Sequence, residues 1–202
     1  MPTTNINAIL DQALAAPEGE QSLHRFIAIF HQKHPALLVV EHGSPEQRLC
    51  AMLVQYCQLL PILIEEARWV AARDNCSAEF RQLHTVVGSF FSGLEARRLE
   101  FGILGILDKV YFGHRLLEEW HDRRRLVTRG AALSWDTSLA NILAHTLIGD
   151  TYANELDDAV LEMMEAWPQL HAGSGRQPYS SEAPCPCVAA RHGVCLSWVS
   201  QS

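Results

Sequence analysis

No Walker loop, no Rossmann glycine pattern after a strand and no Gly-x-Ser-x-Gly elbow occurs in this 202-residue sequence, which argues against a conventional nucleotide-binding enzyme. No two cysteines have the Cys-x-x-Cys spacing of a dithiol oxidoreductase. Positive charge is also in short supply. A formal charge of −7 argues against sequence-independent nucleic-acid binding, which needs a basic surface to displace counterions, although it leaves room for a small basic patch. The longest apolar stretches are interrupted by Gln, Pro or charge before membrane-spanning length. The opening "MPTTNINAILDQALAAPEGE" has neither a basic leader nor a continuous apolar core, so no secretory signal is read there. These absences together give the expectation of a cytoplasmic protein that binds neither nucleic acid nor membrane.

What is present is the composition of a folded domain: 48% hydrophobic and 19% charged residues, far from the signature of disorder. Strand-like runs are scarce and helix punctuation is frequent. A short helix is predicted from Asn5 to before Pro17, and a second from Glu18 to His34 with Leu23, Phe26, Ile27 and Phe30 as its stripe. "GSPEQRL" is a strong helix start, with Ser44 as cap, Pro45 in the first turn and Gln47 at the capping-box position. That helix should run to Arg73. Further helices are expected from Ser77 to Arg98, from Glu100 to Leu126, and from Asp136 or Thr137 to Trp167. "ALLVVEHG" at 36–43 has β-branched character but no second run to pair with, so it reads as a buried turn or extended connection.

The fold class that follows is all-α: an antiparallel bundle of four long helices with one or two short N-terminal ones. It occupies residues 1–168. Residues 169–202, rich in Pro, Ser and Gly, read as an irregular tail outside the bundle. The tail gathers Cys185, Cys187, His192 and Cys195, four soft ligands in a spacing that is not a common zinc arrangement. The other cysteines are scattered through helical segments.

The candidate site arises from helical periodicity. On the helix containing "GHRLLEEWHDRRR", Ile103, Leu107, Val110, His114, Leu117 and His121 share one narrow face, with Glu118 at its edge. His145 lies on the stripe of the last helix, followed by Gly149 and Tyr152. His84 lies on the stripe of Phe80, Val87 and Phe91. An inward imidazole either ligates through one nitrogen while the other donates to a carboxylate, or is a core residue bonded to a carbonyl. Glu118-x-x-His121 is one copy of the pair that di-iron bundles use twice, and Asp157, Asp158 and Glu162 fall mainly off the last stripe. A dinuclear site is therefore poorly supported.

The metal candidates are thus His114, Glu118, His121, His145 and His84, with Tyr152 and Gly149 as further cofactor-binding positions. A single Fe or Zn ion, or haem, would suit these ligands. Arg123, Arg124, Arg125 and Arg129 cluster at a helix C-terminus, where positive charge complements the helix dipole or docks an anion. Two functions are compatible with these features. One is a bundle with an internal metal, haem or small-ligand site. The other is a non-catalytic interaction or regulatory module whose histidines are core residues. Either admits a homodimer, and no reaction is assigned.

Overall fold

Ser44 opens the longest helix as the sequence implies. Its hydroxyl oxygen accepts the Gln47 amide at 3.4 Å, and Pro45 occupies the first turn, where a missing N–H costs nothing. The Ser44 hydroxyl in turn donates to the Glu46 carboxylate. In a computed structural model of the chain, residues 6–35, 38–40, 43–128, 133–167 and 186–196 are described, with backbone alone at 38–40, 126–128 and 195–196.

The described residues are almost entirely helical. They form α1 (Ile6–Leu14), α2 (Gly19–Lys33), β1 (Leu38–Val40), α3 (Pro45–Arg73), α4 (Ser77–Ser92), α5 (Ala96–Leu99), α6 (Ile103–Thr128), α7 (Ser138–Ile148), α8 (Asp150–Ala166), α9 (Val188–Arg191) and β2 (Val194–Leu196). The core is centred on α3 and α6. From α3 come Leu49, Met52, Leu53, Tyr56, Leu60 and Leu63, and from α6 Ile106, Val110, Leu116, Leu117 and Trp120, all buried. Gly113 is what lets α6 close onto α3, because a Cβ there would meet Leu60 Cδ1 at 2.9 Å. By length and composition α3 is apolar enough to cross a membrane, and 56% of the window concerned is buried within the protein. The interruptions at Gln58 and Pro61 do not bring it below that length.

Three expectations about segments are corrected. The helix from Ser77 ends at Ser92, where Gly93 serves as C-cap, and a separate single turn, α5, carries the chain to Leu99. The last helix is two helices. Gly149, expected in mid-helix, has φ +99° and forms the joint between α7 and α8, a conformation that L side chains rarely adopt. Its amide still bonds His145 O at 3.0 Å, and its carbonyl accepts the Ala153 amide at 3.0 Å, so each helix retains a hydrogen bond across the joint.

The third correction concerns the chain after α8. Residues 38–40 do have a partner. They pair antiparallel with 194–196, in the register Leu38↔Leu196, Val39↔Cys195 and Val40↔Val194. Residues 186–196 are therefore not an irregular appendage: Val188, Ala189 and Val194 are fully buried. The segment is also stitched to the start of α7, with Asp136 N–H donating to Pro186 O at 3.2 Å and Val188 N–H to Asp136 O at 3.1 Å. The physical reason is length, since three-residue strands and a one-turn helix are too short to show a period. The remainder of the expected tail, 169–185 with Cys185 and 197–202, lies outside the described residues.

Candidate functional site

His114 projects from α6 into the core and is fully buried. Its Nε2 donates to the Tyr56 carbonyl at 2.8 Å, and its ring stacks on that of Tyr56 with centroids 4.0 Å apart. Burial pushes the imidazole down to about 4, so it is neutral. Nδ1 is buried and has no hydrogen-bond partner among the described residues. The Tyr56 carbonyl thus occupies Nε2, and the Tyr56 ring covers one face of the imidazole rather than its in-plane Nδ1 lone pair.

Tyr56 begins a chain of polar contacts that leads outward. Its hydroxyl, whose pKa burial drives far up, donates to Asn141 Oδ1 at 2.6 Å. Asn141 Nδ2 donates to Glu118 Oε2 at 2.7 Å, Arg115 donates to the same oxygen, and the Ser138 hydroxyl donates to Oε1 at 2.9 Å. With its other edge, Arg115 donates from Nε to Asp157 Oδ1 at 2.9 Å. The Tyr111 hydroxyl donates to both oxygens of Asp157, at 2.8 and 2.9 Å. Burial is also the main reason that the Tyr111 hydroxyl holds its proton well above the usual phenol range, followed by its bond to Asp157. The helix spacing behind this is simple. Tyr111, Arg115 and Glu118 recur at steps of four and three on α6 and so share a face, which meets α7 through Asn141 and Ser138 and α8 through Asp157.

At the outer end stands His145, on the last turn of α7. Its Nε2 donates to Asn154 Oδ1 at 3.0 Å and lies 3.8 Å from Asp157 Oδ2, while Nδ1 lies 3.7 Å from Asp150 Oδ1. The Tyr111 ring meets the imidazole edge-on at 6.0 Å. His145 is half-buried, and at the neighbouring joint a Cβ on Gly149 would meet nothing within 4 Å.

Of the expected ligands, His114, Glu118 and His145 thus belong to one connected polar system, but their donor atoms do not converge. The others stand apart. His121 is half-buried with Nδ1 3.8 Å from Asp122, and burial lowers its pKa. His84 rests against Phe80, with ring centroids 5.9 Å apart. Tyr152 is 43% exposed and approaches Asp108 Oδ2 at 3.4 Å, where Arg98 already pairs with Oδ1 at 2.7 Å. Among the described residues no three His, Cys, Asp or Glu side chains are grouped as a metal ion would require.

Two arginines of the run have structural roles. Arg124 is buried against Asp74 at the end of α3, at 2.7 Å, and Arg123 donates to the Met164 carbonyl at 2.6 Å, so both fasten α6 to the ends of its neighbours. Arg129 lies outside the described residues. In the cysteine cluster, His192 donates to Gln55 Oε1 at 2.5 Å, while Cys185 and the Cys195 side chain are outside the described set.

The sequence reading missed Tyr56, Tyr111, Asn141 and Asp157. Asp157 falls off the last apolar stripe, and Tyr56, Tyr111 and Asn141 carry no motif; the four-residue step from Tyr111 to Arg115 is the one local sign of a shared polar face. Comparison with known proteins gives no match: no family model, no curated protein and no solved structure is similar to the chain. What the structure defines is a class, a predominantly helical protein with a polar network running from its core to its surface.

Proposed function

We propose that the protein is a helical-bundle binding protein that holds a metal ion or small ligand at the outer end of this network, at His145. In this reading α3, α4, α6 and the jointed pair α7–α8 make the antiparallel bundle. The observation that carries it is the convergence of Asn154 Oδ1 and Asp157 Oδ2 on one nitrogen of a half-buried imidazole, at 3.0 and 3.8 Å. Glu118, by contrast, already receives three donors and is a structural tie between α6 and α7. The site therefore moves from Glu118 and His121 to the α7–α8 joint. A thermal-shift screen with divalent cations, haem and small polar organic molecules tests it. At least one should raise the melting temperature of the full chain and lose that effect in His145→Ala, whereas no His145-dependent shift from any of them overturns the reading.

A second reading, the non-catalytic interaction module, is favoured by a different observation. Ile62 and Trp69 are 50% and 66% exposed, two helical turns apart on the outer side of α3. Arg68 covers one face of Trp69, with its guanidinium carbon 4.9 Å from the ring. Sedimentation across a concentration series tests the simplest form, a homodimer through this face. Self-association should then be abolished in Trp69→Glu.

A further inference from the structure

Resting on the binding reading above, we infer that the ligand of the α7–α8 joint is a first-row divalent cation, zinc(II) above all, held by His145 Nε2, Asn154 Oδ1 and Asp157 Oδ2. Zinc bonds of about 2.0–2.2 Å to nitrogen and oxygen set donor-to-donor distances of roughly 3 to 3.5 Å. The separations from His145 Nε2 to the two oxygens, 3.0 and 3.8 Å, lie on either side of that range. Asn154 and Asp157 are three residues apart on α8 and share a face, and the Gly149 turn brings that face beneath the last turn of α7. One imidazole among oxygen donors selects a transition cation over magnesium or calcium, which favour all-oxygen shells.

The surrounding groups suit the task. Tyr111 and Arg115 orient the Asp157 carboxylate and occupy three of its roughly four acceptor positions, which leaves one on Oδ2 facing His145. Arg115 is neutralised on its other edge by Glu118, so the negative charge at the joint is not cancelled. Coordination requires the Nε2 proton to move to Nδ1, and Nδ1 faces Asp150 Oδ1 at 3.7 Å. That carboxylate, highly exposed and unrestrained by a second ion pair in this geometry, closes to a hydrogen bond and completes a carboxylate–histidine–metal arrangement. Asp150 lies on the far nitrogen, which is why His145, Asp150 and Asp157 do not themselves converge and the third donor is an amide.

Among the described residues a competing soft-donor pair is Cys50 and His24, with sulfur and Nδ1 3.4 Å apart. Burial, aided by Glu46 and Glu20, pushes the Cys50 thiol up to about 11, so it keeps its proton and is the poorer ligand.

Zinc(II) titrated into the full chain by calorimetry, with cobalt(II) as a spectroscopic probe, decides the matter. The expected result is one zinc site, a cobalt spectrum with d–d bands but no thiolate charge-transfer band, and loss of more than about tenfold in affinity in His145→Ala. Asn154→Asp, an exposed change that adds a charged oxygen, should tighten binding. It keeps the inference testable if Asp157→Asn disturbs folding. A thiolate–cobalt band, or zinc affinity unchanged in His145→Ala, overturns the inference. If zinc fails while an organic molecule gives a His145-dependent thermal shift, the cation is overturned and the binding reading stands. If neither acts through His145, both fall.

Discussion

His114 and His145 occupy equivalent positions in the sequence pattern, each replacing an aliphatic residue on the inner stripe of a helix, yet their surroundings are opposites. His114 lies where α6 closes on α3, sealed by the Tyr56 ring and bonded to the Tyr56 carbonyl. His145 lies at a joint between two helices, with oxygens of Asn154, Asp157 and Asp150 around its two nitrogens. The difference teaches that a stripe position determines whether an imidazole turns inward, whereas the neighbouring helices determine which of its lone pairs remains usable. A histidine covered by packing is a structural element, and one at a break in a helix is a candidate ligand.

The sharpest way to break this contrast is His114→Ala. Removing a fully buried ring leaves a cavity beneath Tyr56 and takes away the side-chain bond to its carbonyl, for an expected loss of about 3–4 kcal/mol in urea unfolding. Zinc affinity should not change, and a parallel fall in binding would show that the two regions are one site.

The pH dependence of stability ranks next. The folded His114 titrates at about 4 and an unfolded imidazole at 6.5, because burial disfavours the charged form. The unfolded chain therefore binds more protons between these values. The contribution is complete above about pH 6.5, is lost as pH falls toward 4, and is level below that, amounting to about 3 kcal/mol at most. Unfolding curves across this window should flatten in His114→Leu relative to the parent.

Tyr56→Phe probes the link between the regions. It removes the 2.6 Å bond to Asn141 and leaves a buried amide oxygen unpaired, which should cost about 1–2 kcal/mol in equilibrium unfolding. The smallest expected effect is that of His145→Ala: within about 0.5 kcal/mol in the same assay, because the side chain is partly solvated and its nearest carboxylates are ion-paired or exposed. A loss as large as that of His114→Ala would erase the distinction and make His145 a core residue.

Much of the helical framework was legible in the sequence because its signals are local. Ser44 and Pro45 mark the start of α3, the gap around Pro17 separates α1 from α2, and the period through Val110, His114 and Leu117 correctly turns His114 inward. The break at Gly149 was hidden because the stripe Ile142, His145, Gly149, Tyr152 and Leu156 continues across it at steps of three and four, and a positive φ leaves no trace in a hydrophobic pattern. The partners of Glu118 were hidden for another reason. Arg115 is one turn away on the same helix, but Asn141 and Ser138 arrive from α7, and only tertiary packing brings them to it. Asp157 looked like an outward acid because its role depends on Tyr111 and Arg115 of α6.

The short ladder between Leu38–Val40 and Val194–Leu196 has a consequence for synthesis. When the first strand leaves the ribosome, its mate is still about 150 codons from translation. At about 5–20 residues per second the wait is on the order of ten to thirty seconds. During that interval α1 to α8 can assemble around an unpaired edge, and such edges attract foreign strands. Final pairing thus waits for the last strand described, and a polypeptide stalled before Val194 carries all of α1 to α8 with β1 still lacking its mate.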